Sequence, residues 1–362
     1  MPMKLLVVHA WLRGNLGDVL QGTVLLRALR DIAPATLDLA GFPSRPGEGA
    51  RELLALADRH VPEPFHWYWR YVPGAARALT LEPLWRRRRR DLFSRYDAVI
   101  SAPGPFLAEY DARLPSALVD IEAAVDLGIP FILASHSIGP LSLDSLRRIA
   151  GATLCVARED ATHAYLAAHG LHAVRSADLA FLFPYEESLA ACGEQRRLDG
   201  RYRLLFLRSR NLSAQRIERK PECLRIGSRQ IALQPGEQLV AATSDASRDG
   251  RFLTQLTRRL EAPAVSCRSV AELVRLVAGC SGVVTDRYHP AICAAALGKP
   301  AEILPNREPH KMLGLQELLE NHPIDSIRDL ARAGLSALRG ALSNAATPSP
   351  SRKPSNRRGR GT

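Results

Sequence analysis

Arg287 stands two residues before His289 in Asp286-Arg287-Tyr288-His289-Pro290, and together the pair could hold an anion and move a proton. A guanidinium fork grips a carboxylate or phosphate, and an imidazole is the side chain that titrates near neutrality. Pro290 suits the first position of a helix and would fix the turn before it. The plain alternative is a histidine that caps or packs that helix start. A second cluster, Arg13-Gly14-Asn15-Leu16-Gly17-Asp18, precedes a helix expected over residues 19–30. Its glycines permit a tight turn, and the free amides of a helix start can meet an anion. Asp18 could equally cap the helix. Arg158, leaving a strand expected over 153–157, could grip an anion or pair with Glu159, Asp160 or Asp178. Gly104, in Ala102-Pro103-Gly104-Pro105, reads mainly as a stiff turn, and His136-Ser137-Ile138-Gly139-Pro140 completes the set.

Each cluster follows an apolar run that reads as a strand: residues 4–9, 97–101, 131–135, 153–157 and 282–285. Further strands are expected over 173–175, 202–207, 238–242, 264–267 and 301–304, with amphipathic helical stretches such as 116–127, 251–260, 270–277 and 290–297. Alternation of this kind implies parallel sheets covered by helices. The weakly patterned segment 184–201 is the expected domain boundary. The expectation is therefore an α/β protein with two doubly wound, Rossmann-like domains, residues 1–190 and 200–345, facing a cleft. Ligands of open parallel sheets bind outside the carboxyl ends of the strands, where all five polar clusters fall.

Composition narrows the function classes. The chain has 362 residues and a formal charge of +12. Residues 86–90 and five basic residues beyond 351 supply ten of those charges, so the remainder is nearly neutral. Residues 43–95, crowded with Pro, Trp and Arg, read as an insertion, and 346–362 as a disordered basic tail. Positive charge confined to one run and a tail, without interleaved aromatics, argues against a nucleic-acid platform. Trp67, Tyr68, Trp69, Tyr71 and Trp85 beside residues 86–90 could instead anchor the chain to an anionic membrane surface, with a solvated helix face as the plain reading. Six scattered cysteines fit a reducing cytoplasm, and neither a signal peptide nor a membrane helix is expected. P-loop, GxGxxG, HExxH and Asp-x-Asp patterns are missing from the sequence, so no metal or cofactor site is expected.

The ordered motifs resemble those of the polysaccharide pyruvyl transferase family. They are Asn15-Leu16-Gly17-Asp18, Tyr96-Asp97-Ala98-Val99-Ile100 with Gly104, Ser137-Ile138-Gly139-Pro140, Arg158-Glu159 and Asp178-Leu179-Ala180-Phe181. Thr285-Asp286-Arg287-Tyr288-His289, Gly298-Lys299-Pro300 and Lys311 end the series, which spans about 300 residues. Two departures are Pro103-Gly104 where the family often has Gly-Gly, and Tyr288 where it usually has Leu or Phe. The resemblance implies a GT-B-like fold and transfer of pyruvate from phosphoenolpyruvate onto two hydroxyls of a sugar, which is often lipid-linked. On that reading His289 and Asp18 are catalytic, while Arg158, Arg287, Lys311, Asn15, Gly17 and Gly104 bind substrate. A nucleotide-sugar glycosyltransferase of the same fold is the nearest rival.

Overall fold

The first strand, β1 (Met3–Trp11), carries an unbroken apolar run from Leu5 to Val8, all of it buried. Side chains alternate across a strand. Leu5 and Val7 enter one core cluster and Leu6 and Val8 another on the opposite face. Both faces of the sheet are therefore covered, as a parallel sheet requires. The computed structural model describes residues 2–32, 35–42, 47–63, 81–191, 200–208, 216–306 and 309–346.

The N-terminal sheet adds β2 (Ala35–Phe42), β3 (Arg59–Pro62), β4 (Ala98–Ser101), β5 (Gly104–Leu107), β6 (Phe131–Ile138), β7 (Leu154–Ala157) and β8 (Val174–Arg175). Their order is β3-β2-β1-β4-β6-β7-β8, with β5 beside β6, and all pairings are parallel. Its helices are α1 (Leu16–Arg30), α2 (Arg51–Leu54), α3 (Glu82–Phe93), α4 (Leu114–Asp126), α5 (Leu143–Ile149), α6 (Asp160–Ala168) and α7 (Tyr185–Ala190). The second sheet contains β9 (Tyr202–Phe206), β13 (Gln238–Thr243), β14 (Ala264–Ser266), β15 (Gly282–Thr285) and β16 (Ala301–Ile303), ordered β14-β13-β9-β15-β16 and again parallel. A small antiparallel sheet of β10 (Ile217–Arg219), β11 (Cys223–Ile226) and β12 (Arg229–Ala232) lies between β9 and β13 in sequence. Helices α8 (Ala246–Leu260), α9 (Val270–Gly279), α10 (Tyr288–Ala296), α11 (Pro309–Asn321) and α12 (Ile324–Ala346) complete the fold.

The expected α/β class is observed, and one apolar core joins the two sheets. Leu5, Val7 and Ile100 of the first sheet share a cluster with Leu204, Phe206 and Val283 of the second. The long helix α12 was expected with the second domain but returns to the first. Ser176 Oγ donates to the Leu330 carbonyl, and a Cβ at Gly334 would collide with Ser176.

The segment 43–95 departs from expectation where it is described. β3 pairs with β2 as an edge strand, and α3 packs its buried face inward. Trp85 is buried rather than available to a membrane, and its indole N–H donates to Asp120 at 3.0 Å. Arg89 is 3 % exposed and forks onto Asp120 while also reaching Glu63. Arg86 pairs with Asp126. Helical spacing thus splits the basic run between core and surface, leaving Arg87, Arg88 and Arg90 exposed. Trp67, Tyr68, Trp69, Tyr71 and the expected tail beyond 346 lie outside the described residues. No helix among the described residues is long and apolar enough to cross a membrane.

Candidate functional site

Helix α1 begins at Leu16, three residues earlier than expected, because Asn15 rather than Asp18 caps it. Asn15 Oδ1 accepts the Gly17 amide at 3.2 Å, and Asn15 Nδ2 donates to Asp18 Oδ2 at 2.8 Å. The cap leaves Asp18 facing a cavity of about 320 Å³ at the carboxyl ends of the strands. His289, in the first turn of α10, enters the same cavity from the second sheet. Gly17 permits this approach, since a Cβ there would stand 2.0 Å from His289 Nδ1.

A buried polar network connects these groups. Gln21 Nε2 donates to Asp18 Oδ1 at 3.3 Å and to the Pro103 carbonyl, while Gln21 Oε1 accepts from Arg158. Arg158 has no exposed surface. It donates to Asp178 at 2.8 Å, to Ser137 at 2.6 Å and to Glu159 at 3.2 Å. Asp178 Oδ2 lies 3.8 Å from His289 Nε2, a charge contact when the imidazole is protonated. Burial alone would raise the Asp178 carboxyl, but His289, Arg158 and the Ala180 amide hold it well below the usual carboxylate range. Arg158 also stacks 4.8 Å over the Tyr288 ring, and Lys311 Nζ lies 4.5 Å from the same ring's centroid. Burial pushes the Tyr288 phenol well up, so it stays neutral.

The eight residues singled out by the sequence therefore divide. Asn15, Asp18, His289 and Lys311 line the cavity, and Gly17 packs under His289. Arg158 supports Asp178 from behind and also meets Glu159, the pairing its alternative reading offered, while its Nη2 is buried without a hydrogen-bond partner among the described residues. Arg287 is 4 % exposed and pairs with Asp249 of α8. Gly104 lies below the cavity, where its carbonyl meets His136 Nδ1 at 3.0 Å. Burial, with the positive charges near His9 and Arg158, lowers the His136 pKa to about 3.

Several lining residues outside the 13–18 turn carried no sequence signal. Arg13, Arg113, Arg208 and Arg248 join Lys311, so five basic side chains face only Asp18 and Asp111 among the described lining residues. His9, at a bulge of β1, adopts a left-handed φ of 63° beside the cavity. Its ring is held by Ser101 Oγ at 2.8 Å and Asp120 at 3.0 Å. Asp120 is in turn gripped by Arg89, so part of the basic run buttresses the cavity floor. Positive φ at a non-glycine residue costs energy and recurs at functional sites. Partners separated by about 90 to 110 residues leave no local pattern to read. Among the described residues, no group of three His, Cys, Asp or Glu side chains could hold a metal ion.

Comparison with known proteins adds two findings. A family model described as polysaccharide pyruvyl transferase matches residues 15–306. Among solved structures, a UDP-N-acetylglucosamine 2-epimerase described as putative, from Listeria monocytogenes, superposes with a TM-score of 0.60 at 10 % identity, covering 96 % of this chain and 98 % of its own. The UDP-GlcNAc 2-epimerase of Neisseria meningitidis gives 0.55 at 12 %, covering 94 % and 100 %. UGT2 of Phytolacca americana gives 0.51 at 12 %, covering 95 % and 94 %. At such identities the likeness is one of fold, the GT-B arrangement of two facing sheets. No curated protein sequence gives a significant match.

Proposed function

The chain belongs to the polysaccharide pyruvyl transferase family, and from that premise we propose that it moves pyruvate from phosphoenolpyruvate onto two hydroxyls of one sugar, releasing phosphate. The observation that supports this reading is the cavity itself, where His289 and Asp18, with His9 and Asp111, face an excess of fixed cations. Phosphoenolpyruvate is a small molecule with both a carboxylate and a phosphate, and such cations complement it. Lys311 meets the donor directly, while Arg158 and Arg287, paired with Asp178 and Asp249, stand in the buried layer behind it. Asn15 and Gly17 shape the turn that brings Asp18 to His289.

Two additions at the donor's C2 make the ketal. In the first, one hydroxyl oxygen bonds to C2 and gives up its proton as C3 takes one up and becomes a methyl group. In the second, the other hydroxyl oxygen replaces phosphate, which leaves with the C2–O electron pair while that hydroxyl gives up its proton. We assign His289 to the proton transfers, held by Asp178, and Asp18 to orienting the acceptor hydroxyls. The scheme uses no cofactor. The acceptor is a sugar of a polysaccharide or of its lipid-linked precursor, met in the cytoplasm or at the inner membrane face.

Incubation with phosphoenolpyruvate and a panel of bacterial oligosaccharides should release phosphate and produce a ketal methyl signal by NMR. Changing His289→Ala should lower kcat by about 10²–10⁴-fold, with thermal unfolding unchanged. Consumption of a UDP-sugar, with phosphoenolpyruvate left intact, would replace this reading by the glycosyltransferase one.

A further inference from the structure

Trp11, the last residue of β1, stands between guanidiniums of the two domains. Arg113, at the cap of α4, lies 5.7 Å from its ring, and Arg248 of α8 lies 4.9 Å away. A third guanidinium, Arg208, follows β9 and lines the same cavity. Its Nε is buried with no hydrogen-bond partner among the described residues.

Like charges do not gather in one cavity without an electrostatic cost. Burial, together with Arg113 and Arg208, pushes the Arg248 pKa down against the pull of Asp245 and Asp18. Asp111 takes both prongs of Arg113, but Asp245 stands 3.6 Å from Arg248. Asp286 Oδ2 accepts the Arg208 backbone amide at 3.3 Å. The position of Trp11 is set one bulge away by His9, which Asp120 and Ser101 hold in its left-handed conformation.

We propose that Arg113, Arg208 and Arg248, arrayed around Trp11, form a phosphate subsite whose two halves belong to different domains. A phosphate offers several acceptor oxygens and more than one negative charge, which the forks of Arg208 and Arg248 and the remaining N–H groups of the Asp111-held Arg113 can share. A lone carboxylate would leave one fork unused. The phosphate could be the donor's phosphoryl group or the carrier phosphate of a lipid-linked acceptor. Only that assignment to a substrate rests on the proposed reaction, since the subsite itself is defined by binding.

The test is calorimetric titration of the full chain with inorganic phosphate, phosphoenolpyruvate, pyruvate and a short-chain prenyl diphosphate. The wild type should bind inorganic phosphate and show no heat with pyruvate. Arg208→Gln and Arg248→Gln should each weaken phosphate at least tenfold, whereas Arg88→Gln, which removes one charge outside the cavity, should not. Parallel loss of phosphoenolpyruvate affinity assigns the subsite to the donor. Loss of diphosphate affinity with phosphoenolpyruvate unchanged assigns it to the acceptor. Arginine-dependent phosphate binding in a protein that never turns over phosphoenolpyruvate would keep the subsite and overturn the reaction. No binding by the wild type at millimolar phosphate, or equal loss in the Arg88→Gln control, would overturn the subsite.

Discussion

Two sets of arginines surround the same cavity and do opposite work. Arg89, Arg158 and Arg287 are 3 %, 0 % and 4 % exposed, and each is committed to carboxylates of its own chain. Arg113, Arg208 and Arg248 are more open, come from three different elements and face the cavity. The first set orders the site by fixing Asp120, Asp178 and Asp249. The second gives the cavity its charge. Arg113 is held on Asp111 as firmly as Arg158 on Asp178, so openness to the cavity rather than the number of carboxylate partners separates the two sets, and burial decides the energetic consequence of removing an arginine.

The sharpest test of that contrast is stability. Arg158→Met leaves Asp178 and Glu159 buried without their cation, and urea unfolding should show a loss of about 3–5 kcal/mol. Arg248→Gln removes an arginine from the open set and should stay within about 0.5 kcal/mol. Equal losses would dissolve the distinction.

The buried set should also be felt at a distance, through pH. His136 is held neutral by burial and by the charges near His9 and Arg158, with its pKa lowered to about 3, against about 6.5 for a free imidazole. Between those values the unfolded chain binds a proton that the folded chain refuses. Stability contributed by the neutral ring is therefore complete above about pH 6.5 and declines as pH falls toward 3, by up to about 1.4 kcal/mol per unit. His136→Gln should flatten this part of the urea-midpoint profile. In Arg158→Met the decline should still begin near pH 6.5 but level off at a higher pH, because losing one repelling charge raises the folded-state pKa. An unchanged slope in His136→Gln would assign the acid sensitivity to other groups.

The smallest effect is expected where charge is only surface. Replacing both Arg87 and Arg88 by Gln should move stability by no more than about 0.5 kcal/mol. Their remaining proposed role is at a membrane, so salt-sensitive co-sedimentation with anionic vesicles should weaken in the double variant. Equal sedimentation would leave them as solvated charge. Replacing the whole run would confuse this measurement, because Arg89 is part of the core.

Local pattern was enough to reveal the α/β class, the two parallel sheets and the turns that bear Asp18 and His289. Apolar runs reveal strands because every residue of a doubly covered strand is buried, and Asn, Gly and Pro mark the turns by their backbone preferences. The small β10–β12 sheet escaped notice because its strands are three or four residues long and only every second side chain packs inward. The return of α12 to the first sheet escaped it because an amphipathic pattern names a buried face without naming its partner. Within the site, sequence alone identified cations near the strand ends but could not rank them. Arg158 read either as an anion grip or as a partner of Glu159, Asp160 or Asp178 and is found paired with Asp178 and Glu159, while Arg113, Arg208 and Arg248 looked ordinary and face the cavity. Pairing with carboxylates is settled by approach in space, as between Arg158 and Asp178 or between His9 and Asp120 across more than a hundred residues. Residue type and spacing determined which chemistry was available. Only the packing of two sheets against each other determined which groups were neutralised internally and which were left facing the cavity.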